Sequence, residues 1–201
     1  MEPCYRLESV TISSTAILIL AGITLYVGAH HLLLHLRLHD RRTNLAFALS
    51  CFSIFLYDLF CVGLYSSTSP EEGWAWQRGQ FIALALLAIF TIWFVSEFIG
   101  RRNRNIDYVF FFYWAVQLVI LLFDRSSLTQ PLTPSVKQFT LLDFHMEYNE
   151  MAPTLLANIQ SIAGILTGAY ILSSLSGHYL KGNRNKTFPL LFGVVILILG
   201  V

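Results

Sequence analysis

Charge is what this chain has least of. Only 12% of its 201 residues are Asp, Glu, Lys or Arg, against 55% hydrophobic, and its mean hydropathy is +0.60. A soluble domain carries about 25% charged residues, so there is too little polar surface here to face water on all sides. The net charge of +1 is uninformative, since the distribution of charge carries the signal; nucleic-acid binding has no support, and no such partner is expected. Cysteine is scarce as well. Cys4, Cys51 and Cys61 cannot all pair with one another, and the last two fall inside an apolar run, which excludes a disulfide framework and reads as small buried residues. No phosphate-binding glycine loop occurs. Lysine appears only at 137, 181 and 186, outside the apolar runs, so none is placed within them to hold a retinal. Ser174-Leu175-Ser176-Gly177 lacks the leading glycine of a Gly-x-Ser-Gly intramembrane serine site. The chain is therefore expected to be non-catalytic within these residues and to need no cofactor.

Long apolar runs are what is present. A helix needs about 20 mostly apolar residues to cross the hydrocarbon layer, and residues 12–36, 44–66, 79–100, 107–123 and 155–177 meet or approach that length. The N-terminus carries Glu2, Arg6 and Glu8 rather than a basic leader, and the first run is too long for a signal peptide core, so it predicts a helix that stays in the membrane. A sixth run, 187–201, breaks off while still apolar. The expected architecture is an all-α, polytopic membrane bundle of five complete spans and a truncated sixth. A seventh helix is expected to follow in a longer protein, the rival being a complete six-helix protein with a short last helix.

Basic residues alternate between the two sides of these runs. Arg37, Arg41, Arg42, Arg101, Arg102, Arg104, Lys181, Arg184 and Lys186 share one side, nine of the 13 Lys and Arg, while Arg6, Arg78, Arg125 and Lys137 are spread over the other. Lys and Arg in short loops are retained in the cytoplasm, so the N-terminus is expected outside. Six crossings then end outside, and a seventh returns the chain to the cytoplasm. Loops 37–43, 101–106 and 178–186 are short and force antiparallel neighbours. The external loop 124–153 is longer than a structureless connection should be. Within it Lys137-Gln-Phe-Thr-Leu-Leu-Asp-Phe-His145 partly alternates, as a strand or hairpin arm would, and Asp143, Glu147 and Glu150 make its second half acidic. It reads either as a solvated cap or as a lid that contacts a ligand.

Ionisable residues within a span are costly and mark function by default. Asp58 lies in the outer half of the second span, beyond snorkelling reach of the inner face, near Ser53, Tyr57 and Cys61. It reads as a ligand or proton group in a polar cavity, or as a hydrogen-bonding link between helices. Glu97 stands near the inner end of the third span, where it can pair with Arg101 one turn on or face a histidine of the first span. His31, His35 and His39 form a stripe four residues apart, joined by His30. No Glu lies between His31 and His35, and His145 and His178 fall on opposite sides of the membrane, so an interfacial or pH-responsive contact is expected rather than a metal site. Gln117, Asn158 and Gln160 suit hydrogen bonds between helices, and Gly164 with Gly168 permits close approach. Trp74 and Trp76 suit an aromatic belt at the outer edge.

Ala21-Gly22-Ile23, His30-His31-Leu32-Leu33-Leu34, a basic turn, Asn44-Leu45-Ala46-Phe47-Ala48-Leu49, Gln80, and Ile92-Trp93-Phe94-Val95-Ser96-Glu97-Phe98-Ile99-Gly100 follow one another in this order. That pattern resembles the N-terminal membrane region of bacterial sensor proteins, often seven-transmembrane modules placed before histidine kinase, PAS or diguanylate cyclase domains. The resemblance covers the first three spans best and consists of hydropathy and turn patterns. It implies a sensory input domain in the inner membrane that detects a small-molecule or lipid signal and relays it to a cytoplasmic output domain in the same polypeptide. It also implies a homodimer. Under that reading the signal-binding candidates are Asp58, Glu97, Gln117, Asn158 and His31, with residues 124–153 as a gate. Two other classes compete: a small-solute or ion transporter subunit using Asp58 as the coupling carboxylate, and a membrane enzyme using the histidine stripe.

Overall fold

The structure, a computed structural model, describes residues 3–38, 42–100, 104–124, 129–141, 144–182 and 184–200. Along the chain run α1 (Pro3–Leu38), α2 (Arg42–Tyr65), α3 (Pro70–Ile99), α4 (Arg104–Phe123), β1 (Thr129–Leu141), β2 (Phe144–Pro153), α5 (Leu155–Leu180) and α6 (Arg184–Gly200). Five of these helices are long and apolar enough to cross a membrane, the first of them over Ser14–Leu38. The molecule is thus the expected all-α membrane bundle, with one two-stranded sheet added between α4 and α5.

Several helices outrun the apolar runs that announce them, and capping chemistry explains the case of α3. α3 begins at Pro70 rather than at 79 because Ser69-Pro70-Glu71-Glu72 is a helix start. The Ser69 hydroxyl accepts the Glu72 N–H at 3.2 Å, and the Glu72 carboxylate reaches back to accept from the Thr68 N–H at 3.0 Å. Proline occupies the first turn, where its missing N–H costs nothing, and the acidic pair faces the positive end of the helix. At the other end Gly100 adopts φ 79°, a left-handed geometry suited to glycine, and its N–H donates to the Ser96 carbonyl.

Close packing along α1, α2 and α3 depends on small residues, as expected where lipid removes the hydrophobic drive between helices. Ala46, Ala48, Ala83 and Ala85 are fully buried. A Cβ on Gly28 of α1 would lie 2.9 Å from the Phe52 ring of α2. Between α2 and α3, Gly63 lies under the Trp76 indole and Gly79 under the Phe60 ring. Gly164, expected to permit such an approach, instead is exposed, with open space around it. α3 is the central element: it packs on α2, α4 and α5 and meets both strands. The main core gathers around Ile92, Phe94, Val95, Trp114, Ile171 and Leu175. Tyr26, Phe112 and Ile165 turn outward, each 73% exposed, as lipid-facing side chains do.

β1 and β2 form an antiparallel hairpin, pairing Leu141 with Phe144 at one end and Thr129 with Pro153 at the other. Its register is irregular between Gln130 and Pro134, where Pro131 and Pro134 cannot donate to a ladder. The alternation over residues 137–145 therefore straddles the end of one strand and the start of the next, with Asp143 outside the described residues. The hairpin lies against α1, α2, α3 and α5.

Arg78 of α3 clamps the end of α4. Its guanidinium donates to the Leu121 carbonyl from Nε at 2.9 Å and from Nη2, and Nη2 also donates to the Leu122 carbonyl at 3.0 Å. These carbonyls belong to the last turn of α4, which has no intrahelical donors, and a cation there suits the helix dipole. Arg78→Met should lose about 1–3 kcal/mol, the usual worth of hydrogen bonds to a charged group. Amide exchange monitored by mass spectrometry should show faster opening confined to the end of α4; unchanged exchange there would remove the clamp from the account.

Candidate functional site

Asp107 begins the fourth apolar run and drew no attention as a sequence feature, yet it sits in a polar cluster shared by three helices. It is in the first turn of α4 and only 7% exposed. The Ser96 hydroxyl of α3 donates to its Oδ2 at 2.9 Å, and the Tyr170 hydroxyl of α5 donates to its Oδ1 at 2.6 Å. Ser174, one turn along α5, hydrogen-bonds to Tyr170. One carboxylate thereby joins three helices. The N-terminal turn of α4 provides the local reason for an acid here, because its free N–H groups and dipole favour negative charge.

Aromatic packing holds the cluster in place. The Phe110 ring stacks on Tyr170 with centroids 5.3 Å apart and 27° between planes. One turn further, Trp114 Nε1–H donates to Thr167 Oγ1 at 3.0 Å, and that hydroxyl donates in turn to the Ala163 carbonyl at 2.7 Å. α4 and α5 are thus stitched at successive turns by side chains. Beside Asp107 a cleft of about 400 Å³ opens between α3, α4 and α5, with Val95, Ile99 and Ile106 as its apolar wall and Ser173 and Ser174 on the facing helix.

The five residues singled out from the sequence fall one on each of α1 to α5, and none lines this cleft. His31 Nδ1 lies 3.2 Å from Asn44 Oδ1, and its ring packs edge-on against Phe47, tying α1 to α2 near their connecting turn. His39 lies outside the described residues. Asp58 is half-buried on α2, close to Tyr57 and Cys61; the Cys61 sulfur accepts from Gln80 Nε2 of α3 at 3.1 Å. Glu97 is half-buried on α3 beside Ser96, and leaves the helix about 100° around from it. Arg101, its expected partner, is outside the described residues. Gln117 is buried on α4, donating to the Tyr113 hydroxyl at 3.2 Å, while its carbonyl oxygen meets no donor among the described residues. Asn158 is exposed on α5; two positions on, Gln160 is the buried amide, again with an unmet carbonyl oxygen.

Asp107 was missed because its partners are distant in the chain, 11 and 63 residues away. The available signal was an acid placed inside the first turn of an apolar helix rather than in the loop before it.

Among curated proteins and among solved structures, nothing matches the chain. Residues 13–201, nearly the whole chain, match the family described as 7TM diverse intracellular signalling. With five helices able to cross a membrane and a polar junction between three of them, the chain belongs to the 7TM diverse intracellular signalling family.

Proposed function

We propose that this membrane sensory input domain passes its signal to a cytoplasmic output domain of the same polypeptide by rearranging α3, α4 and α5 about Asp107. In this reading the protein is a bacterial inner-membrane sensor, a homodimer, with its N-terminus and the β1–β2 hairpin outside. The observation that carries the relay is the three-helix junction at Asp107. Packed helices have discrete arrangements, and a signal that favours one of them shifts the population by its difference in affinity. A single carboxylate bonded to two neighbouring helices makes such arrangements distinct, since moving any one helix breaks a short hydrogen bond. The orientation is supported by the nine basic residues on the side opposite the hairpin.

Orientation is tested by labelling single cysteines with a membrane-impermeant maleimide in a background where Cys4 is serine. Thr68→Cys is expected to react in intact cells and Lys181→Cys only after permeabilisation; the reverse pattern overturns the proposal. The relay is tested in the full-length protein with Tyr170→Phe, which removes one donor to Asp107 but keeps the ring stacked on Phe110. Output activity is expected to lock at one level. Output indistinguishable from wild type argues against a relay through this junction.

A further inference from the structure

We infer that the cleft beside Asp107 binds a primary ammonium group carried on an apolar body, as an ethanolamine headgroup or a short alkylamine presents. The inference rests on the sensory reading in so far as it names what that reading's junction takes. Three features of the cleft lead to this chemistry.

Charge is the first. Asp107 is 7% exposed, and among the described side chains its two hydrogen-bond partners, Ser96 and Tyr170, are neutral hydroxyls. An ionised carboxylate offers about four acceptor positions, and these bonds fill one on each oxygen. The N-terminus of α4 offsets only about half an elementary charge, so among the described side chains the carboxylate keeps spare acceptors for a cationic guest. A buried charge is costly unless it is paired, and an anionic guest would be repelled.

Donor count is the second. An ammonium has three N–H donors and no acceptor. The cleft answers with the spare capacity of the Asp107 carboxylate and with the hydroxyl oxygens of Ser173 and Ser174 on its α5 wall. A quaternary ammonium lacks N–H donors and would leave those oxygens unmet. The third feature is shape. The cleft holds about 400 Å³, is open on one side, and carries an apolar wall of Val95, Ile99 and Ile106 on which an alkyl portion can lie. Ile106 and Ser173 are exposed, so a guest can enter from the bilayer side.

The test uses the whole chain in lipid nanodiscs. Hexylamine binding is measured by calorimetry against hexanol and a hexyl trimethylammonium salt, with partition into empty discs subtracted. Hexylamine is expected to bind at least about tenfold more tightly than either, the usual weight of one charge-assisted hydrogen bond. Asp107→Asn should abolish that preference. Ser173→Leu, at an exposed position, should fill the rim and weaken hexylamine by a similar factor with Asp107 intact, which keeps the test decisive if the first variant does not fold. Native mass spectrometry after reconstitution in phosphatidylglycerol with or without phosphatidylethanolamine separates the two sources: retained phosphatidylethanolamine identifies the lipid, and amine preference without retention identifies a free amine. Equal binding of hexylamine and hexanol by the wild type overturns the inference. Because binding is read without any output, its loss leaves the relay standing, whereas intact binding with an unresponsive output counts against the relay alone.

Discussion

Asp107→Ala should lower the stability of the bundle by about 1–3 kcal/mol and should do so mainly by stranding two donors. In water-soluble proteins a hydrogen bond to a charged group contributes about 1.5–3 kcal/mol, whereas within membrane bundles measured side-chain pairs average only about 0.6 kcal/mol. The cluster lies between these limits, because Asp107 is nearly buried while the adjoining cleft is open on one side. The Ser96 and Tyr170 hydroxyls would lose acceptors at 2.9 and 2.6 Å, and water entering the cleft recovers only part of that. Asp107→Asn keeps one acceptor oxygen and should cost about half as much. Unfolding in detergent, followed for Asp107→Ala, Tyr170→Phe and the double variant, isolates the pair; the expected coupling is about 1 kcal/mol. A coupling of zero would mean that the hydroxyl and the carboxylate contribute independently, and the three-helix junction would lose its energetic basis.

The second large effect is steric and lies between α2 and α3. Gly79→Val should destabilise the protein by about 1–3 kcal/mol, the usual cost of overpacking a filled interior. The reason is specific. A Cβ at Gly79 would stand 2.7 Å from Phe60 Cδ1 and 2.8 Å from its Cγ, the root of the ring, which cannot swing aside without moving the whole side chain. Gly63 is still tighter, under the Trp76 indole, and its valine variant should cost at least as much. Thermal unfolding measures both, and Gly79→Ala combined with Phe60→Leu should regain most of the loss. Gly164→Ala predicts the opposite sign. That glycine has open space around it, so the substitution removes backbone freedom from the unfolded chain without a clash and should stabilise by up to about 1 kcal/mol. A loss at Gly164 comparable with that at Gly79 would overturn the packing account.

Period and length explain why the helices were readable and the junction was not. Apolar runs of membrane-spanning length announce helices directly, so α2, α4 and α5 begin within three residues of their expected starts. The start of α3 was written in Ser69-Pro70-Glu71-Glu72, a local capping signal that hydropathy passes over because it is polar. The hairpin was half legible: alternation marked residues 137–145, but the long irregular β1 contains Pro131 and Pro134, which read as a loop. Asp107 depends on partners from two other helices, and no local pattern encodes which helices become neighbours. Asp58 was conspicuous for the opposite reason, since a lone carboxylate inside a span stands out whether or not it shares a cavity with anything. The amides show the finest limit: Asn158 and Gln160 are equivalent by composition, and only the rotation of α5 decides that Gln160 is buried and Asn158 is not.

α3 carries a mechanical consequence. Its 30 residues extend about 45 Å at the ordinary helical rise, with the Arg78 clamp near one end and Ser96 near the other, and the hairpin packs against it. A stiff rod of that length transmits a tilt or a slide from end to end without any chain of side-chain relays between them. Under the proposed relay, pressure on the hairpin would reach the carboxylate as the motion of a single covalent lever, with the glycine-lined seam against α2 as the bearing on which it turns.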